Sequence, residues 1–170
     1  DGSHTGEQTA LDMIDASSSP LIFSHSNPNA VCEHPRNISD RLIKACAERG
    51  GVVGCNVFSD FVADTSDGHW PTVDDWVYCI DHVVDTVGIE HVAIGSDLCM
   101  HPHGEVIWDN STWGGTRKPF AQDEIQGMEH THRNFALLIA ALVRRGYREN
   151  ETAKIMGGNW LRVYGEVWGG

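Results

Sequence analysis

Val52-Val-Gly-Cys-Asn-Val-Phe58 is rich in β-branched residues and apolar on both of the faces a strand would present. A strand with one wet face alternates polar and apolar side chains. This run offers no wet face, so it reads as a parallel strand held between helix layers. Working upstream, Pro20 introduces the short apolar run Leu21-Ile-Phe23, a second buried strand, and a helix opening at Ile38-Ser39 lies between the two. Ser39 can cap its free N–H groups, Leu42, Ile43 and Ala47 recur at helical spacing, and Gly50-Gly51 end it. Helical character over Thr9–Ala16 precedes the Leu21 strand. Downstream, Thr72 with Asp75 three residues on forms a capping box with Asp in place of Glu. Trp76, Ile80, Val83, Val84 and Val87 are the apolar stripe of that helix, Gly88 stops it, and His91-Val-Ala-Ile-Gly-Ser-Asp97 is the next strand. A Gly- and Trp-containing loop from Met100 to about Phe120 then leads into a long helix ending at Arg144-Arg145-Gly146. Cations in its last turn suit the helix dipole, and Gly146 is the C-cap. Two shorter helices, around Glu151–Met156 and Trp160–Val167, close the chain.

Strand–helix–strand–helix–strand with connections of this length means right-handed parallel βαβ units. Three full strands and a stub of a fourth at Asp1 are too few for a closed barrel, and they leave two unpaired edges. The expected fold is therefore α/β, the C-terminal portion (about strands 5/6 to 8 plus C-terminal helices) of a (β/α)8 TIM-type barrel. Residues 1–170 are expected to form a single unit.

The bulk properties narrow the function. Hydrophobic content of 41% and charged content of 21% fit a soluble globular protein. A formal charge of −12 argues against nucleic acid or an anionic membrane surface as partner, because phosphates would be repelled. No apolar run approaches the roughly 20 residues that span a bilayer. The five cysteines, Cys32, Cys46, Cys55, Cys79 and Cys99, are odd in number, widely spaced and without a CxxC pair. They suggest buried free thiols in a reducing, cytoplasmic setting rather than a zinc knuckle or a disulfide scaffold. There is no Gly-rich phosphate loop and no GxSxG nucleophile elbow.

In (β/α)8 barrels the chemistry lies at the carboxyl ends of the strands. His25 with Ser26-Asn27, Asn56 and Asp97 stand at such ends, and His4 occupies the same position after a strand that this sequence does not contain. Histidine is a good zinc ligand, because one neutral ring nitrogen donates a lone pair while the other is fixed by an outer acceptor. The plain alternative is a hydrogen-bonded loop residue. Arg36, in the loop after the His25 strand, could grip a substrate carboxylate in a bidentate pair or anchor its loop through a salt bridge. Asp97 could be a ligand, a proton shuttle or the cap of the next helix. His101-Pro-His103-Gly-Glu105 sits in a Pro/Gly loop without a matching partner, and Glu129-His130-Thr131-His132 has the wrong register for the HExxH helix of zinc proteases. Trp160 and Trp168 read as packing residues rather than a carbohydrate platform.

Together Ser-His-Thr-Gly6, Pro20-Leu-Ile-Phe-Ser-His-Ser-Asn27, His34-Pro-Arg-Asn-Ile38, Gly50-Gly-Val-Val53 with Asn56, Val87-Gly-Ile89, Ile94-Gly-Ser-Asp97, Arg145-Gly-Tyr147 and Gly157-Gly-Asn-Trp-Leu-Arg-Val163 resemble the renal (membrane) dipeptidase family. The resemblance spans nearly the whole chain in order. It implies a (β/α)8 metallohydrolase with a two-zinc site that cleaves dipeptides. By position it implies His4 and His25 as ligands of one metal, Arg36 as the holder of the substrate's terminal carboxylate, and Asp97 as the proton carrier to the leaving amine. The family's His-x-Asp pair, metal-bridging Glu and substrate-binding His have no counterparts here, which places the start of this chain at the fifth strand. After Asp97 the family usually has a second acidic residue and a Gly, whereas Leu98-Cys-Met100 follow here. The expectation is a chain that binds zinc weakly and is inactive alone, completed by the N-terminal half of the barrel or by association as a homo-oligomer. The alternatives are another amidohydrolase-type metallohydrolase, or a non-catalytic half-barrel that binds a small carboxylate.

Overall fold

The computed structural model describes residues 1–97, 125, 126, 128 and 134–169. Two strands, β1 (Val53–Cys55) and β2 (Val92–Ile94), pair in parallel with Val53 opposite Val92 and Cys55 opposite Ile94. Phe23 bridges Val53 in the same parallel sense, so residues 21–23 lie on the other side of β1. The N–H of Gly2 reaches the carbonyl of Ile22 at 2.8 Å, which sets the first residues beside that segment in turn. Sequence order and spatial order coincide, as expected for consecutive βαβ units. The strands are shorter than the apolar runs that announce them.

The helices are α1 (Glu7–Ala16), α2 (Asp40–Glu48), α3 (Ser59–Val62), α4 (Val73–Val87), α5 (Phe135–Arg145), α6 (Glu149–Ala153) and α7 (Asn159–Trp168). Three helix ends have a plain local cause. Ser39 Oγ accepts from the Leu42 N–H at 3.3 Å at the start of α2. Thr72 and Asp75 form the reciprocal capping box of α4. Gly146 ends α5 in the left-handed conformation with φ 108°. The two C-terminal helices expected from the sequence are joined by a single wide turn, Lys154–Gly158, that kinks at Gly157, whose backbone is not helical. The short α3 is not announced by any periodicity.

Phe23, Val53, Cys55 and Val92 contribute to the main core with Ile43 of α2, Trp76 and Ile80 of α4, and Leu138 and Leu142 of α5. A second, smaller cluster joins Val52 and Ala93 to Val163 of α7, with Ile22 and Trp160 packed against it. Apolar helical residues therefore meet this sheet in two separate clusters, which is why its strands carry no polar alternation.

The motifs that are not part of the site do structural work. Asn159 Nδ2 donates to the carbonyls of Ile89 and Val92, both at 2.7 Å, and Trp160 Nε1 donates to that of Ile94 at 2.8 Å. Arg162 reaches the carbonyls of Gly50 and Glu90. The Asn-Trp-Leu-Arg stretch thus ties α7 to both ends of β2. Trp160 packs as expected, whereas Trp168 stacks on Tyr164 with its outer face exposed. Arg145 Nε and Tyr147 Oη both bond the Asp81 carboxylate, at 2.6 and 2.7 Å, fastening α5 to α4.

Candidate metal and carboxylate site

Three of the four expected site residues come together. His4 Nε2 lies 2.7 Å from His25 Nε2, and Arg36 Nη2 lies 2.9 Å from His4 Nε2. Asp97 follows β2, is exposed, and is near enough for its negative charge to act on His4, His25 and Arg36. His4 and Asp97 are the two non-glycine residues with positive φ among the described residues, 68° and 57°. Such left-handed backbone costs of order 1 kcal/mol or more and persists where the surroundings impose it.

Close backbone packing sets His25 in place. The Ser24 carbonyl runs so near β1 and the end of β2 that a Cβ on Gly54 would fall 2.4 Å from it, and one on Gly95 only 1.9 Å. Only glycine allows that approach. The next loop is pinned by amides. Asn27 Nδ2 donates to the carbonyls of Asn56 (2.9 Å) and Phe61 (3.1 Å), and Asn37 Nδ2 donates to those of Phe61 (2.9 Å) and Cys32 (2.8 Å). Asn27 Oδ1 accepts from the Asn56 N–H at 2.8 Å. Asn27, a strand-end polar residue, is therefore a fastener of the loops, and Asn56 Oδ1 accepts from the Phe58 N–H of its own loop at 2.6 Å. On this frame Arg36 lies over the Phe61 ring, 5.3 Å from its centre. No ion pair involves Arg36 among the described residues, and its Nε is buried without a hydrogen-bond partner. The loop-anchoring salt bridge weighed for Arg36 is not what these contacts provide. A cleft of about 530 Å³ opens here, lined by His4, Ser26, Glu33, His34 and Arg36 among others.

Sequence reasoning passed over Asp1, Ser3 and Ser24. Ser24 Oγ sits 2.7 Å from His25 Nδ1 and also bonds the Asp1 carboxylate, while the His25 N–H donates to Ser3 Oγ at 3.1 Å. The available signal is the serine next to each histidine, in Ser-His-Thr and Ser-His-Ser.

Electrostatics favour the neutral rings. Burial lowers the His4 pKa, the Arg36 charge and His25 lower it further, and Asp97 opposes them. Burial also lowers that of His25, with Asp97 opposing and Arg36 assisting. Neutral imidazole is the form that binds metal. Burial likewise lowers the pKa of Arg36 against the pull of Asp97, a desolvation cost that a bound anion would relieve.

The pair fits part of a zinc site. Two ligands on a tetrahedral zinc at about 2.0–2.1 Å stand roughly 3.3 Å apart, so ring nitrogens now 2.7 Å apart need part by only about 0.6 Å. Among the described residues no group of three His, Cys, Asp or Glu is placed to hold a metal. The clusters around His101 and Glu129, and Cys99, lie outside the described residues. Cys32, Cys46, Cys55 and Cys79 are buried and free, and burial pushes the Cys46 and Cys55 thiols up to about 12, so they are poor nucleophiles.

The family model for membrane dipeptidase (peptidase family M19) matches residues 1–106 and 118–168. The chain belongs to this family. It is 33% identical over 99% of its length to an uncharacterized protein in the pqqA 5' region of Klebsiella pneumoniae, covering 54% of that protein. It is 33% identical over 98% of its length to the dipeptidase ataJ of Aspergillus terreus, covering 35% of it. A metallo peptidase from Rhodobacter sphaeroides, solved with a phosphinate mimic of the dipeptide L-Ala-D-Ala, superposes with TM-score 0.79 at 26% identity. That match covers 99% of this chain and 42% of the other. The chain thus spans between about a third and about half of the curated relatives it matches. The family is one of metallopeptidases, so membership implies a metal cofactor. No helix among the described residues is long and apolar enough to cross a membrane.

Proposed function

We propose that this chain forms the C-terminal part of a (β/α)8 barrel that hydrolyses dipeptides with zinc. The observation that carries the proposal is the convergence of His4 Nε2, His25 Nε2 and the Arg36 guanidinium at the ends of neighbouring strand segments. The share of the relatives that the chain spans supports the partial-barrel reading.

In this reading His4 and His25 would hold one zinc ion of a two-metal site. Zinc, when bound, polarises the scissile carbonyl and lowers the pKa of water. Arg36 grips the dipeptide's terminal carboxylate, a planar fork meeting a planar anion, and so fixes the peptide bond relative to the histidines. The Phe61 ring beneath the guanidinium keeps it in place. Asp97 takes a proton and delivers it to the leaving amine nitrogen. It stands exposed in a left-handed turn after β2. The remaining ligands belong to other strands of the barrel.

Zinc analysis together with a dipeptide assay tests the proposal. The 170-residue chain alone is expected to hold zinc weakly and turn over no dipeptide, while a protein with the whole barrel does both. Full zinc occupancy and turnover by the isolated chain would overturn the partial-barrel reading. A whole-length protein that ignores dipeptides would overturn the activity.

A further inference from the structure

A neutral histidine carries one ring proton, and the partner of one nitrogen decides what the other can do. His25 Nδ1 is 2.7 Å from Ser24 Oγ, and Ser24 Oγ is 2.5 Å from Asp1 Oδ2. A hydroxyl has one proton to give, and an ionised carboxylate can only accept. The other oxygen near Ser24 Oγ, Ser3 Oγ, stands at 3.4 Å and is a poor competitor. The Ser24 proton therefore points to Asp1, and Ser24 accepts from His25 Nδ1–H. The carboxylate is itself held, because Oδ1 takes the N–H groups of Ser3 and Ser24, both at 3.0 Å.

We infer that Asp1 and Ser24 are positioning residues that lock His25 as its Nδ1–H tautomer and leave the Nε2 lone pair facing His4. His4 is matched to this. Arg36 has no acceptor, so its Nη2 donates to His4 Nε2, which must also present a lone pair. Two lone pairs 2.7 Å apart repel each other, and a cation between the rings relieves that repulsion. The tautomer stands on hydrogen-bond accounting alone; its use in gripping zinc rests on the function proposed above.

The arrangement makes an isosteric substitution informative. In Asp1→Asn the two backbone N–H donors keep the amide oxygen at the Oδ1 position, so the amide nitrogen faces Ser24. Ser24 then accepts from Asn and turns its own proton to His25 Nδ1, moving the ring proton to Nε2. The shape is kept and the polarity of the relay is reversed.

Long-range proton–nitrogen correlation spectra of the metal-free chain with labelled histidine, at mildly alkaline pH, read the tautomer directly, with His25→Gln supplying the assignment. The native chain and Ser24→Thr are expected to show Nδ1–H, and Asp1→Asn and Ser24→Ala are expected to move toward Nε2–H. Zinc titration is expected to show affinity lower by about 10–100-fold in Asp1→Asn, the usual effect of losing an outer partner. An Nε2–H tautomer in the native chain overturns the inference, whether or not any variant folds. So does an unchanged tautomer in a folded Asp1→Asn chain. If the tautomer moves as expected while the native chain shows no zinc affinity at all, the relay stands and the metal-ligand role of His25 falls.

Discussion

Arg36 shows how a residue's surroundings separate a binding role from a structural one. Its charge is half-buried over an aromatic ring, its Nε lacks a partner, and its terminal nitrogen reaches a histidine instead of a carboxylate. In a whole-barrel protein Arg36→Met is expected to raise KM for dipeptides by about 10-fold or more, given about 1.5–3 kcal/mol for a hydrogen bond to a charged group, with a smaller change in kcat. Steady-state kinetics check this, and an unchanged KM would reject the role. The sequence alone exposes His4, His25, Arg36 and Asp97 because polar residues stand out where apolar strands end. It cannot expose the Asp1–Ser24–His25 relay, since serines beside a histidine have many uses and only their distances single one out. Asn27 and Asn56 carry the reverse lesson. They stand at strand ends as a catalytic group would, yet Asn27 donates to the Asn56 and Phe61 carbonyls and Asn56 Oδ1 accepts from the Phe58 N–H.

The elements supply two tests of how the site is supported. In the capping box of α4, burial raises the Asp75 pKa, but bonds from the Thr72 N–H and hydroxyl, with help from His69, outweigh it and hold the carboxyl below its ordinary value. A depressed folded-state pKa contributes stability that is present above the unfolded value of about 3.9 and is lost as pH falls through the folded one. Asp75→Ala is therefore expected to lower Tm at pH 7 by a few degrees, on the order of 1 kcal/mol for a cap. The difference should shrink as the pH is taken well below 4, and thermal melts at both pH values check it; a gap that persists in acid goes against the mechanism. The second test is Gly95→Ala. A Cβ 1.9 Å from the Ser24 carbonyl must push the strands apart, at a cost of about 1–3 kcal/mol. A lower urea midpoint with shifted His25 resonances is expected, and a midpoint equal to the native one would contradict the close packing. The helices were legible because caps and apolar stripes are local signals. The short α3 and the wide Lys154–Gly158 turn were not, because they follow from how neighbouring elements meet.

At the scale of the whole molecule, the parallel order was legible from strands apolar on both faces, but the sheet's edges are a matter of what lies beside them. Among the described residues β2 pairs with β1 alone, and on its other side the carbonyls of Val92 and Ile94 accept from Asn159 Nδ2 and Trp160 Nε1. A free strand edge offers unpaired N–H and C=O groups to any strand that can reach it. Asn159→Ala uncovers part of this edge and is accordingly expected to raise self-association, with a mass that rises with concentration in light scattering. A variant whose mass tracks that of the native chain over a wide concentration range would count against this covering role of Asn159.

The parallel sheet also sets the order in which the molecule can be built. Phe23 meets Val53, and Val53 meets Val92, only after the helix between each pair has been traversed. His4 and His25 are brought together by the same kind of distant pairing, across α1. No single helix or turn can preassemble them, so the entropy of closing these loops is spent before any binding energy is returned. Zinc added at the start of refolding therefore finds no template to act on. It should slow unfolding of the finished protein far more than it speeds folding, and residence of the metal becomes a measure of kinetic durability.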